Sequence, residues 1–80
     1  MENYTITIEV SLRDCLKFQD YFTSSRLDVV YDFKIEQVAS NVFVCYGQEW
    51  LSDEEVESIV AELEEIFVDY EVEITYEINY

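Results

Sequence analysis

Carboxylates are the side chains of this sequence best able to do chemistry. Nineteen Asp and Glu stand against four Lys and Arg, with no histidine and a formal net charge of −15. Carboxylates can act as acid–base pairs, bind cations, or attract basic surfaces. An acid–base pair needs a pocket that drives the two pKa values apart. With thirteen acids between Ile35 and Tyr80, close pairs arise by number alone. No Ser/His, Cys/His, P-loop or GxGxxG arrangement is present. The expectation is a protein that is not an enzyme and has no catalytic residues. Zinc and redox metals favour His and Cys clusters, which this chain lacks. Calcium is most recognisably held in a D-x-[DN]-x-[DN]-G loop, and none occurs. Glu71 and Glu73 follow a strand alternation, so neither a metal nor another cofactor is expected.

The thiols are the other candidates for chemistry. Cys15 and Cys45 lie far apart, form no CxxC and fall within apolar patterns, which predicts two buried free thiols in a reducing compartment. Met1-Glu2-Asn3-Tyr4 offers neither a basic nor an apolar leader segment, and no apolar run approaches membrane-spanning length. A cytoplasmic location is the resulting expectation.

What remains is attraction. Arg13, Lys17, Arg26 and Lys34 are the only bases, so residues 1–34 carry a net charge of −2 and residues 35–80 carry −13. Such a field repels nucleic acid and membranes and attracts basic proteins. Solubility asks for a net charge of only about 2–8 in a small domain. The partner expected is therefore a basic protein surface, without direct nucleic-acid or membrane binding.

The elements that must position these acids read clearly in places. Half of the residues are hydrophobic, and the chain has one glycine, no proline and no linker-like stretch, which predicts one acidic α+β domain over residues 1–80. Tyr4, Ile6, Ile8 and Val10 alternate with Thr5, Thr7 and Glu9 as a half-buried first strand. Ser11 with Asp14 resembles a capping box, and Leu12, Cys15, Leu16, Phe18 and Phe22 predict a helix running to about Thr23, ended by Ser24-Ser25. Alternation from Leu27 to Glu36 predicts a long second strand. Ala39-Ser40-Asn41 reads as a turn with Asn41 left-handed, followed by a short strand over Val42 to Tyr46.

Ser52 with Glu55 opens a second helix whose apolar stripe is Val56, Ile59, Val60, Leu63, Ile66 and Phe67. Val72, Ile74, Tyr76, Ile78 and Tyr80 alternate with acids in a fourth strand. The order βαββαβ is that of a ferredoxin-like fold, with two helices on one face of an antiparallel sheet ordered 4-1-3-2. Strands one and four would then be neighbours and gather Glu9, Glu71, Glu73 and Glu77 on the uncovered face. An RNA-recognition use of that face would need bases and a glycine-rich third strand, and Val42-Phe43-Val44-Cys45-Tyr46 has neither.

An exposed helix ordinarily interleaves Lys with Glu, gaining about 0.2–0.5 kcal/mol per pair. Here Glu54 with Glu57 and Glu62 with Glu65 are like-charge neighbours. Glutamates at i and i+2 on a strand stand about 6.6–6.8 Å apart, and those at i, i+3 and i+4 on a helix about 5–6 Å. Successive phosphates of a nucleic-acid strand, at ~3.4 Å axial rise, have a comparable separation. In size, element order, the Asp53-Glu54-Glu55 cluster and the base-free second half, the chain resembles the small acidic phage-encoded inhibitors of host defence, including anti-CRISPR proteins of the DNA-mimic type. The resemblance implies occupation of the basic DNA-binding cleft of a host complex, a CRISPR effector first among them. The residues expected to make that contact are Glu54, Glu57, Glu62, Glu64, Glu65, Asp69, Glu71, Glu73 and Glu77. The alternative is a non-enzymatic regulatory or assembly module that binds through its sheet or an edge strand. Either a monomer or a dimer fits these expectations.

Overall fold

The computed structural model describes residues 4–78. It is α+β: four antiparallel strands form an open sheet and three helices accompany it. The strands are β1 (Tyr4–Val10), β2 (Phe33–Ala39), β3 (Val42–Gly47) and β4 (Val72–Ile78). The helices are α1 (Cys15–Ser25), α2 (Leu27–Val30) and α3 (Asp53–Ile66). The sheet order is β2-β3-β1-β4, so β1 lies inside and β2 and β4 are the edges. Both helical connections therefore skip a strand: β1 reaches β2 across β3, and β3 reaches β4 across β1.

The register explains which face is buried. Ile6 stands opposite Cys45 on one side and Tyr76 on the other, and Ile8 stands between Phe43 and Ile74. These alternate positions form the inner face. The inner side chains Tyr4, Ile6, Ile8, Val10, Phe43 and Cys45 join Phe18, Phe22, Val56, Val60, Leu63 and Phe67 in one core. Phe18 anchors it, with ring centroids 4.8 Å from Phe67, 5.4 Å from Phe22 and Phe43, and 5.5 Å from Tyr70. Such edge-on and tilted aromatic pairs add about 0.5–1.5 kcal/mol each beyond area burial.

Several local expectations are corrected. The second strand does not begin at Leu27. Arg26 (φ 54°) and Asp32 (φ 56°) adopt left-handed backbone, and between them Leu27–Val30 make α2. The amides of Val29 and Val30 donate to the Arg26 carbonyl, and that of Tyr31 donates to Leu27. Leu27 enters the core while Val29 and Val30 face solvent, so strand alternation there is a coincidence of spacing. The first helix begins at Cys15, without a side-chain cap from Ser11 or Asp14. Asp14 instead accepts from the backbone amide of Glu71 at 3.3 Å.

Leu12 and Leu16 are 72% and 77% exposed, so they are not part of the helix's buried face. Cys15 is half-buried and donates to the Leu12 carbonyl at 3.3 Å, whereas Cys45 is fully buried. Asn41 is not left-handed. Its side-chain amide donates to the Val10 carbonyl at 3.0 Å and its carbonyl accepts from the Val10 amide, which ties off β1. Tyr4 is in the core, but Tyr76, on the edge strand, remains 36% exposed. Tyr80 lies outside the described residues.

Candidate partner-binding surface

Helix α3 carries most of the expected contact residues, and its start is well specified. The Ser52 hydroxyl accepts from the Glu55 amide and the Glu55 carboxylate accepts from the Ser52 amide, both at 3.3 Å. Asp53, Glu54 and Glu55 fill the first turn, where the helix dipole favours negative charge. Val56, Val60 and Leu63 are buried, with Ile59 and Ile66 half-buried beside them. The outer half of the helix is left to acids.

Those acids point three ways. Glu57 and Glu64, seven residues and thus about two turns apart, lie on the side toward β4. Glu57 accepts from the Tyr76 hydroxyl at 2.8 Å. Glu64 shares a shallow concavity with Tyr70, Val72 and Glu73. Glu62 points to the opposite flank and accepts from the Tyr31 hydroxyl at 2.7 Å. Burial, followed by that carboxylate, pushes the Tyr31 phenol up to about 12. Glu65 lines the same flank with Glu62, Ile66 and Tyr31. Glu54 is exposed in the first turn, where its carbonyl accepts from Ser58, and Asp69 is exposed in the turn after the helix.

Around the β4 edge, the acids continue onto the uncovered face. Glu73 stands directly opposite Glu9, and Glu77 opposite Thr5. Glu9, Glu71 and Glu73 line one further concavity. The structure therefore brings Glu57, Glu64, Glu73 and Glu9 into one band that wraps from the helix layer to the open sheet face. Glu62 and Glu65 stand apart on the Tyr31 flank. Glu71 is partly neutralised, because the Arg13 guanidinium lies 3.4 Å from its carboxylate.

Sequence reading did not include Glu9 among the contact residues, although its pairing with Glu73 follows from strand neighbourhood. The phenol donors Tyr31 and Tyr76 carried no sequence signal. They fix two of the carboxylates in place by hydrogen bonds to charged groups, the stronger kind.

This band strains the fold that carries it. Like charges directly opposite on a sheet destabilise it, as Glu9 and Glu73 do here. Raising salt from 0.01 to 0.15 M shortens the Debye length from about 30 to about 8 Å. The melting temperature is expected to rise by several degrees over that range, roughly 1 kcal/mol of relief. Scanning calorimetry at the two salt concentrations checks this, and an unmoved melting point would mean that the acids do not repel one another appreciably.

Among the described residues, no three His, Cys, Asp or Glu side chains gather so as to hold a metal ion. Among the described residues, no helix is long and apolar enough to cross a membrane. No family model, curated protein or solved structure matches the chain.

Proposed function

We propose that this protein is a stoichiometric inhibitor that presents its acidic band to the basic DNA-binding surface of a host nucleic-acid-binding complex. The reading is DNA mimicry, and a CRISPR effector is the favoured target. One observation carries it: carboxylates from α3, the β4 edge and the open face adjoin, and among the described residues no base lines the two concavities that hold Glu64, Glu73 and Glu9, Arg13 standing beside them at Glu71. Rows at helical and strand spacing, about 5–7 Å, suit Lys and Arg side chains set to grip successive phosphates. The element sequence and the strand order, read from β4 as 4-1-3-2, support a ferredoxin-like fold in which α2 is an added turn before the second strand.

Because each partner base would lose phosphate to gain carboxylate, the complex should compete with duplex DNA and weaken at high salt. The test is capture of purified CRISPR effector and restriction complexes on immobilised protein, with and without competing double-stranded DNA. Captured complex should be displaced by DNA. Reversing Glu64 and Glu73 to Lys should weaken capture by on the order of 100-fold while leaving the melting temperature equal or higher. Capture that ignores both DNA and the reversal would sink the proposal.

A further inference from the structure

The two edges of the sheet differ in what they would meet if the chain paired with itself. An edge strand presents a row of unpaired N–H and C=O groups to any extended neighbour. On β4 the open face reads Glu73, Thr75, Glu77. Antiparallel self-pairing about Thr75 would set Glu73 against Glu77 of the second copy, twice over. That edge is closed to a second copy by its own charge.

Strand β2 is different. Its open-face residues are Lys34 and Glu36, opposite Tyr46 and Val44 of β3, and its inner-face residues are Phe33, Ile35 and Gln37. We propose that two copies of this chain pair antiparallel through β2 about a two-fold axis at Ile35. In that register Lys34 of each copy faces Glu36 of the other, so both charge pairs are favourable. Directly opposite side chains in such a ladder stand about 4.5–5.5 Å apart at Cβ. Lys34 has no carboxylate within ion-pair distance among the described residues, so it is available for this contact. Glu36 is already oriented on the open face by the Tyr46 hydroxyl at 3.2 Å.

Three further observations agree. The register shift between Gln37 and Ala39 ends the regular ladder just beyond the five residues that the two-fold uses. A groove of about 720 Å³ lies between α1 and β2, with Phe22, Phe33, Ile35 and Phe43 along it. A second copy on the β2 edge would cap this groove with its own. Finally, β2 carries one Lys and one Glu, while the acidic band lies across the sheet at β4. Two chains of net charge −15 would thus meet where they are least charged. The product is an eight-stranded sheet with an acidic band at each end. The pairing does not depend on the target proposed above.

Sedimentation velocity on the full chain in 0.15 M salt, from micromolar to millimolar protein, tests it. A monomer–dimer equilibrium is expected. Lys34→Glu and Glu36→Lys should each weaken dimerisation on the order of tenfold, since each turns two attractive pairs into repulsive ones. The double variant Lys34→Glu/Glu36→Lys should restore it. Both positions are exposed, and circular dichroism melts of each variant confirm that the fold persists. A chain that stays monomeric throughout overturns the proposal. So does a dimer indifferent to the single reversals, or a double variant as weak as either single one.

Discussion

Gly47→Ala is expected to lower the unfolding free energy by about 3 kcal/mol, a large share of the roughly 5–15 kcal/mol that holds a domain together. Gly47 sits in β3 opposite Tyr4 of β1 on one side and Phe33 of β2 on the other. The Tyr4 ring reaches across the glycine to meet Phe33 edge-on, with centroids 6.2 Å apart. A methyl group at position 47 would fall within the Tyr4 ring. Since Tyr4 is 1% exposed, the ring has no empty space to retreat into. The backbone at Gly47 is not left-handed, so the requirement is room and not conformation. Urea unfolding measures the loss as a lower midpoint at unchanged slope. A double-mutant cycle with Tyr4→Ala should show that the two penalties do not add, because removing the ring admits the methyl. Strict additivity would mean that the ring and the glycine are not in contact.

Alkaline pH is expected to unfold the protein from within its core. Burial pushes the Cys45 thiol from 9.0 up to about 12. Burial, with smaller repulsion from Glu49, Cys45 and Asp32, moves the Tyr4 phenol from 10.0 to about 12. Both groups hold their protons more tightly when folded. Their contribution is fully present below pH 9, and it is lost as pH rises through 9 to 12 for Cys45 and through 10 to 12 for Tyr4. At about 1.4 kcal/mol per pKa unit, the fall between pH 9 and pH 11 is roughly 4 kcal/mol, the larger share from Cys45. Tyr31 is half-buried, so solvent screening keeps its share small. Urea midpoints across this pH range test the sign and the size. Cys45→Ala should be less stable at pH 8 yet lose less on going to pH 11. A midpoint that stays level to pH 11 would contradict the burial of these two groups.

Most of the architecture is legible in the residues. Period-two alternation places β1 and β4, a short apolar run after the Ala39-Ser40-Asn41 turn places β3, and the Ser52–Glu55 capping box with its apolar stripe places α3, because in each case pattern and local chemistry agree. The chain misleads where pattern and backbone part. From Leu27 to Ile35 the alternation is broken only by Val30, yet two left-handed residues, Arg26 and Asp32, bracket its first part, which folds into a helical turn. Asp tolerates that conformation better than most residues, but one Asp within a run of near-alternating apolar residues is too weak a signal to announce it. Leu12 and Leu16 mislead in the opposite way, since nothing in an apolar residue says that its helix will turn it outward. For the acidic surface, membership follows from composition but partition does not. The division of α3 into a β4 flank with Glu57 and Glu64 and a Tyr31 flank with Glu62 depends on which tyrosines lie beside it. The partial neutralisation of Glu71 depends on Arg13, 58 positions away.

The interior place of β1 has a consequence for how the chain comes into being. Of the four strands, β1 is synthesised before the others yet lies inside the sheet, flanked by β3 and by β4, which follows it by some sixty residues. At about 5–20 residues per second, synthesis of such a chain takes on the order of ten seconds. The hairpin of β2 and β3 can close early, and β1 can join it, but one side of β1 stays bare until β4 emerges. For that interval the nascent chain exposes Ile6 and Ile8 along an unpaired flank, so protection must come from elsewhere. The early glutamate of β1, Glu9, and the repulsion among nascent chains as the acidic second half appears would hold them apart while the last strand is still being made.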